Sequence, residues 1–292
     1  MKSALDCIPC LVRQALETAR FVSPNEDIHL KVMRRVLRLT ADMDMSDSPP
    51  AVARQIHSHL RDITGVDDPY LQAKQRFNRM ALDMLPELYQ RLKTAADPFA
   101  LAVRLAIAGN VIDMGVYGDL TPEQARDSIS VCLQEPFCGD IAALKQAIDR
   151  AGSILYLTDN AGEIAFDRLL VEQLPRERVT LAVKGGPVIN DAVLADAREV
   201  GLPDLVTVID NGARVPGTIL PACSPAFRRT FEQADLIIAK GQGNFESLSD
   251  VQAPIFFLFK VKCRVIADHV GLATGTHLVL GQGDSRLHKD SD

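Results

Sequence analysis

The chain has 292 residues, which is long enough for one large domain or two modest ones with a sizeable buried core. Its apolar fraction of 47% and charged fraction of 24% exclude a disordered chain, a collagen and a coiled coil as descriptions of the whole molecule. The 32 Lys and Arg residues against 38 Asp and Glu residues give a net charge of −6. This charge excludes an overall positive field that would attract nucleic acid or an anionic membrane.

Neither a membrane span nor a signal peptide is predicted. No apolar run approaches the roughly 18 residues that a membrane span needs, and the first residues lack the apolar stretch of a signal peptide. We therefore expect a cytoplasmic location, with no nucleic acid or membrane as partner. An acidic chain that acts on an anionic substrate must neutralise it locally, with a metal ion or a few cations.

The first hundred residues are predicted to be helical, because apolar residues recur at helical spacing and Ser, Asn, Pro and Gly residues mark the ends. The predicted helices cover residues 5–21, 26–39, 51–63, 70–93 and 99–108, and two more follow at 122–133 and 140–151. We expect a helical N-terminal region over residues 1–97 and an α/β domain over residues 98–292, which ends in a polar tail at 281–292.

From residue 153 onward, short apolar runs alternate with helical segments. The alternation predicts β-α-β units and hence a right-handed parallel sheet with both faces covered by helices. Strands are predicted at 153–157, 179–183, 205–209, 236–239 and 255–259, with later candidates at 265–267 and 277–280; helices are predicted at 164–174 and 191–200.

Polar and glycine residues follow four of these strands, at 158–163, 184–191, 210–212 and 240–246. Each segment alone has an ordinary explanation, since Asp, Asn and Gly are common in turns and helix caps. The carboxyl ends of parallel strands meet at one edge of a sheet, however, where ligands bind. Four such segments in succession therefore predict a site at that edge.

The residue types at this edge favour a metal and a phosphate. Asp159, Asn160 and Asp191 offer the oxygen ligands that Mg²⁺ or Mn²⁺ prefers, without a histidine cluster that would favour zinc. Nearby glycines allow backbone N–H groups to approach an anion. The candidate cations are Lys184, Lys240 and Lys262, although each lysine alone equally fits a solvated loop charge.

The common sequence motifs of phosphate-binding proteins and of hydrolases are absent or incomplete. The chain has no G-x-x-x-x-G-K-[ST] and no G-x-S-x-G. Gly241 and Gly243 begin a dinucleotide-type G-x-G, but Glu246 stands where the third glycine belongs. Asp159 follows a strand as in aspartyl-phosphate phosphatases, but Ala161 replaces the second aspartate. The histidines are scattered and are interpreted as core or surface residues.

Six cysteines are too few for a disulfide scaffold. Cys7 and Cys10 form a C-x-x-C at the start of a predicted helix, and Cys132 and Cys138 form a second possible pair. Two interpretations remain open for them: buried or unpaired thiols, or a structural metal or redox pair.

Taken together, the motifs resemble the damage-control phosphatase family, in its archaeal and bacterial subfamily with an N-terminal C-x-x-C. The resemblance runs over nearly the whole chain. It is carried by Cys7-x-x-Cys10, Gly109-Asn110-x-x-Asp113, Asp159 to Glu163, Lys184 to Asp191, Asp235-x-x-x-x-Lys240-Gly-x-Gly-Asn244-x-Glu246 and Lys260-x-Lys262-Cys263.

The resemblance implies a helical N-terminal region packed on a three-layer α/β domain. It also implies a phosphatase that depends on a divalent metal (Mg, Mn, Co or Ni) and acts on small phosphometabolites such as sugar phosphates. Asp159, Asn160 and Asp191 would bind the metal and, with Lys262, form the catalytic set. The implied substrate or phosphate contacts are Glu163, Asn110, Lys240, Gly241, Gly243 and Asn244.

One departure limits what the resemblance implies about the substrate. The eukaryotic branch carries Arg-Thr-x-Lys, and the equivalent stretch here, Phe259-Lys260-Val261-Lys262, keeps only the final lysine. Two questions stay open at this point. The attacking group is either water or the Asp159 carboxylate, and the alternative function is a non-catalytic phosphate-ligand or metal/redox-binding protein that uses Cys7 and Cys10.

Overall fold

The structure is a computed structural model that describes residues 1–110, 121–281 and 283–284. Most of the predicted polar tail, and Asp113 of the Gly109-Asn110-x-x-Asp113 motif, lie outside these residues. The helical prediction for the N-terminal part is confirmed. Its helices are α1 (Cys7–Val22), α2 (Glu26–Ala41), α3 (Pro49–Thr64), α4 (Leu71–Thr94) and α5 (Pro98–Ala108).

Side-chain caps and a left-handed glycine set the ends of these helices. The Asn25 side chain accepts a hydrogen bond from the backbone N–H of Asp27 at the start of α2, and Asp97 accepts one from Ala100 at the start of α5. Gly65, with a φ of 69°, ends α3. These are the residue types from which the breaks were predicted.

The rest of the chain alternates helices and strands. It contains α6 (Pro122–Cys132), β1 (Phe137–Gly139), α7 (Ile141–Arg150), β2 (Ile154–Leu157), α8 (Glu163–Val171), β3 (Val179–Val183), α9 (Leu194–Glu199), β4 (Thr207–Asp210), α10 (Pro225–Gln233), β5 (Leu236–Lys240), α11 (Gln242–Leu248), β6 (Ile255–Lys260), α12 (Arg264–Val270) and β7 (His277–Gly281).

Within the described residues the strands form one sheet in the order β1-β7-β6-β5-β2-β3-β4. All neighbours are parallel except β6 and β7, so the predicted mostly parallel sheet is confirmed. The carboxyl ends of β2, β3, β5 and β6 therefore share one edge, which we call the rim. Because β7 runs antiparallel to β6, its first residue also lies at the rim, where His277 pairs with Lys260.

Two predicted elements differ from the structure, and three elements of the structure were not predicted. Residues 265–267, predicted as a strand, lie inside α12, which ends at Val270 and is followed by Gly271 with a φ of 68°. The predicted helix at 191–200 begins only at Leu194, because the preceding residues pair with the loop after β2. The edge strand β1 and the helices α10 and α11 were not predicted.

Helices cover both faces of the sheet and give it two cores. Residues of α4, α5 and α8 pack on one face, and residues of α10, α11 and α12 pack on the other. Helices α1, α2 and α3 enclose a smaller core of their own, and α3 contacts α11. This packing brings α1 and α3 next to the rim. Among the described residues, no helix combines the length and the hydropathy that crossing a membrane requires.

Candidate active site

Two loops at the rim are joined through their backbones. Asn160, after β2, forms a bridge with Asp191, after β3. The Ala192 N–H donates to the Asp159 carbonyl at 2.8 Å, and the Ala161 N–H donates to the Asn190 carbonyl at 2.9 Å. The pairing brings together three buried side chains that the sequence predicts as ligands: Asp159, Asn160 and Asp191. We call them the oxygen site.

The oxygen site opens into a cavity of about 480 Å³. All three of its residues line the cavity, as do Gly243, in the first turn of α11, and the exposed Lys262, in the loop after β6. The Lys262 backbone N–H donates to the Gln242 side chain at 3.0 Å, which connects the loop after β6 to the start of α11. A predicted cation therefore shares one cavity with the predicted metal ligands.

Gly241 allows Asp159 to occupy its position. Gly241 has a φ of 80°, and a Cβ atom there would overlap the Asp159 carboxylate. A glycine is therefore required both by the turn after β5 and by the close approach of this carboxylate.

The negative charge at the oxygen site is only partly balanced by the described residues. Burial, and then the nearby Glu163 and Asp191 carboxylates, raise the pKa of Asp159 well above its usual value, while Lys262 and Lys184 oppose this shift. Lys184 is buried beside Asp191, with its Nζ 3.3 Å from Asp191 Oδ2, and it also donates to the Gly217 carbonyl. The carboxylates of the oxygen site would therefore stabilise an added cation.

Lys240 has a different place from the one predicted for it. Its side chain is fully buried, and its Nζ donates to the Ala106 carbonyl at 2.6 Å, to Glu163 at 2.8 Å and to Asp167 at 2.5 Å. These three partners use all three ammonium protons, so none is left for a phosphate. Lys240 instead forms ion pairs with two carboxylates behind the cavity.

Glu163 and Asn110 belong to this buried layer as well. The Asn110 Nδ2 donates to Glu163 Oε2 at 2.8 Å, and its distance to Asp159 Oδ2 is 3.4 Å. The Asn160 Nδ2 lies 3.2 Å from Asp159 Oδ2 and 3.4 Å from Glu163 Oε2. Glu163, predicted to reach the substrate, has one oxygen on Lys240 and the other on these amides, so it orients the oxygen site from behind.

Asn244 is also buried, and it connects the loops. Its Nδ2 donates to the Lys240 carbonyl at 2.7 Å and to the Thr158 carbonyl at 3.2 Å, and its Oδ1 accepts from Thr218 at 2.7 Å. Of the predicted phosphate contacts, Gly243 and Lys262 thus face the cavity, whereas Lys240, Gly241 and Asn244 lie behind its wall.

The N-terminal helices supply the opposite wall of the cavity. Cys7 and Cys10 line it from the first turns of α1, His57 lines it from α3, and Cys263 lines it beside Lys262. Burial raises the pKa of the Cys7 thiol, and none of the six cysteines, which all lie among the described residues, forms a disulfide. The sequence predicts no contact between α1 or α3 and the rim, because this packing joins segments about 100 to 250 residues apart.

Glu246 also lines the cavity, although the sequence analysis assigns it no role. Burial raises the pKa of its carboxyl group to about 7, and Gln242 donates to its Oε1 at 2.8 Å. Its position four residues after Gln242, on one face of α11, is the sequence signal that places it beside that residue.

The donors of the oxygen site fit a hard divalent cation. Two carboxylates and one amide supply oxygen ligands, the preferred donors of Mg²⁺ and Mn²⁺, and the crowding of Asp159 with Glu163 and Asp191 calls for a positive charge.

Known proteins of one family are similar to this chain. Residues 3–278 match the family model described as "Damage-control phosphatase ARMT1-like domain". A curated damage-control phosphatase of Pyrococcus horikoshii is 36% identical over 281 residues, which cover 94% of this chain and 96% of that protein. A damage-control phosphatase of Archaeoglobus fulgidus is 36% identical over 282 residues, covering 94% of this chain and 97% of that protein.

A solved structure is similar over the same length. The crystal structure of a DUF89 family protein from Pyrococcus horikoshii superimposes with a TM-score of 0.87 at 34% sequence identity, covering 96% of this chain and 99% of that one.

Proposed function

The chain belongs to the family of proteins with a damage-control phosphatase ARMT1-like domain, and on that premise we propose that it is a phosphatase that uses a divalent metal ion and acts on small phosphorylated metabolites such as sugar phosphates. One observation carries the proposal. Asp159, Asn160 and Asp191 are joined on paired loops and share a cavity with Lys262.

Asp159, Asn160 and Asp191 would hold the ion. When bound there, a divalent ion supplies the neutralisation of charge on the phosphate oxygens that phosphoryl transfer requires. Lys262 binds a phosphate oxygen from the opposite loop, with the backbone near Gly243 beside it.

The buried layer fixes these groups before a substrate arrives. Lys240 holds Glu163, and Glu163 accepts hydrogen bonds from the Asn110 and Asn160 amides. Asn160 therefore keeps its Nδ2 toward the buried carboxylates and its Oδ1 toward the ion. Such preorganisation lowers the reorganisation needed in the transition state.

The size of the cavity supports a small substrate. About 480 Å³ falls within the roughly 300–1,000 Å³ of small-molecule sites. The wall formed by α1 and α3 lies across from the oxygen site, where it would contact the part of the substrate that does not carry the phosphate.

Hydrolysis of p-nitrophenyl phosphate and a panel of sugar phosphates, with Mg²⁺, Mn²⁺, Co²⁺ or Ni²⁺ supplied singly, tests the proposal. We expect turnover with at least one metal and its loss in excess EDTA. Asp159→Asn should lower kcat by a factor of about 10² or more, as the loss of a transition-state contact does. Asp210→Asn is the matched control, because Asp210 is the last residue of the neighbouring strand β4 and lies outside the cavity.

Full activity in Asp159→Asn, or equal losses in the two variants, would contradict the assignment of the oxygen site. A single turnover in ¹⁸O-labelled water also bears on the attacking group. Label found in the Asp159 side chain excludes direct attack by water and identifies an intermediate formed on the carboxylate.

The alternative function, a binding or redox protein that uses Cys7 and Cys10, is tested with the same assay because both thiols line the same cavity. The phosphatase proposal expects hydrolysis to persist in the Cys7→Ser/Cys10→Ser double variant. Ligand binding without hydrolysis in the unmodified protein would favour the alternative.

A further inference from the structure

Three donor side chains converge at the rim on the sheet face that α5 covers. Cys132 is the last residue of α6, Glu135 lies in the loop that follows, and His277 is the first residue of β7. One ligand atom from each of the three lies within 4.8 Å of the other two. We call these residues the Cys-Glu-His cluster.

The fold holds the cluster in place through backbone contacts. The His277 N–H donates to the Pro136 carbonyl at 2.8 Å, which fixes the loop after α6 against the start of β7. The Arg104 guanidinium donates to the Leu133 carbonyl at 2.6 Å and to the Glu135 carbonyl at 3.1 Å. These hydrogen bonds to the backbone of the loop therefore hold the three donors close to one another.

Polar atoms of the cluster are buried without hydrogen bonds. His277 is 0% exposed, and neither of its ring nitrogens makes a hydrogen bond. Its Nε2 lies 2.9 Å from Glu135 Oε2, yet that oxygen makes no hydrogen bond either. Buried polar atoms are nearly always partnered, so such a pair needs an explanation. An ion bound by both atoms would give each of them a partner.

At neutral pH the cluster presents a neutral imidazole and a carboxylate, which are the protonation states that bind metal ions. Burial lowers the pKa of His277 to about 4, so the imidazole is neutral at pH 7, which is the form that binds metals. Lys260 Nζ lies 2.7 Å from Glu135 Oε1, which leaves Oε2 toward His277. The same ammonium lies 3.7 Å from Cys132 Sγ, where it would stabilise a thiolate once an ion displaces the thiol proton.

We propose that Cys132, Glu135 and His277 bind a transition-metal ion with the preferences of zinc, such as Zn²⁺, Co²⁺ or Fe²⁺, at a site separate from the oxygen site. Sulfur, nitrogen and carboxylate donors select such ions, whereas the all-oxygen donors around Asp159 select harder ones. Three protein ligands leave a fourth position open. Cys132 packs on Ala108, two residues before Asn110, so the ion would brace the end of α5 next to the candidate active site.

Cobalt absorption tests the proposal without reference to turnover. The full chain is stripped of metal with a chelator and titrated with Co²⁺, and the near-ultraviolet charge-transfer band of a cobalt thiolate is recorded. We expect the band at one ion per chain in the unmodified protein and in Asp159→Asn, and its loss in Cys132→Ser. The Cys7→Ser/Cys10→Ser variant is the matched control for the other thiols, and it should keep the band.

Glu135→Gln provides a second test that does not remove the thiol. It should keep the band but weaken Co²⁺ binding by at least the roughly 10-fold that loss of even an outer partner of a metal ligand causes. Circular dichroism of each variant checks folding. No band in the unmodified protein, a band that survives in Cys132→Ser, or a band lost in Asp159→Asn would each overturn the proposal.

Discussion

The ammonium group of Lys240 forms ion pairs with two carboxylates in the layer behind the cavity. Both Glu163 and Asp167 are buried with it, so the three charges depend on one another. The pKa of Lys240 is raised, because the attraction of these carboxylates outweighs the effect of burial. Burial raises the pKa of Asp167 to about 6, against the opposing effect of Lys240.

Removal of this charge should destabilise the fold. We predict that Lys240→Met lowers the free energy of unfolding by about 3–5 kcal/mol, the usual cost of leaving a buried partner uncompensated. Urea unfolding measures this change, with the exposed Lys93→Met as the control, which should differ from the unmodified protein by less than about 0.5 kcal/mol. Equal losses in the two variants would show that the buried pairs contribute nothing.

His57 gives the stability of the protein a dependence on pH. Burial, and then the nearby Arg61, lower its pKa to about 4, below the value of about 6.5 in an unfolded chain. Between these values the unfolded chain binds the proton and the folded chain does not, so stability falls as the pH drops from 6.5 toward 4.

We therefore predict that the unmodified protein loses about 2 kcal/mol more unfolding free energy than His57→Gln when the pH changes from 7 to 5. Urea unfolding of both proteins at the two pH values measures the difference, in which the contributions of shared carboxylates cancel. Parallel losses would mean that His57 titrates in the folded protein as it does in the unfolded chain.

The turn between β5 and α11 is the element on which the oxygen site depends most closely. Gly241 and Gly275 both have a positive φ, of 80° and 89°, but only Gly241 lies against another side chain, that of Asp159. The two positions therefore separate the cost of backbone strain from the cost of displacing a ligand.

We predict that Gly241→Ala lowers both metal affinity and kcat by a factor of about 10² or more, because its methyl group displaces the Asp159 carboxylate. Gly275→Ala should cost only the roughly 1–2 kcal/mol of left-handed strain and leave the metal affinity unchanged. Calorimetric titration with Mn²⁺ compares the two variants. An unaltered affinity in Gly241→Ala would show that Asp159 does not hold the ion.

At the scale of elements, strands with a strong local signal could be predicted and those that depend on a neighbour could not. Val179–Val183 was predicted to the residue because its apolar run ends at a lysine and two glycines. Strand β1 has three residues and exists through its pairing with β7. The Val265 to Ala267 run is too short for its period to separate a strand from the helix that it forms.

The candidate site shows the same limit. The order of strands and polar loops along the chain sends Asp159 and Asp191 to one edge, so their meeting was predictable from topology. The place of Lys240 was not, because its partners Glu163 and Asp167 lie 77 and 73 residues away. The local sequence around a lysine at the end of a strand is the same whether its side chain faces a cavity or a buried carboxylate.

For the whole molecule, the cavity joins the N-terminal helices to the sheet, and ligands of that cavity should stabilise the entire fold. We predict that Mn²⁺ at 100 times its dissociation constant adds about 2.7 kcal/mol to the free energy of unfolding. Thermal unfolding of the stripped and the Mn²⁺-loaded protein measures the gain. Asp159→Asn should show little of it, and a full gain in that variant would place the ion elsewhere.

The antiparallel pairing of β7 with β6 makes the Cys-Glu-His cluster depend on the register of these two strands. His277 faces Glu135 only because β7 pairs with β6 in its present register, with His277 opposite Lys260. Side chains alternate along a strand, so a shift of one position would turn the imidazole to the far side of the sheet. A single-residue deletion in the 271–275 turn would then dismantle the cluster while all three of its donors remain in the chain.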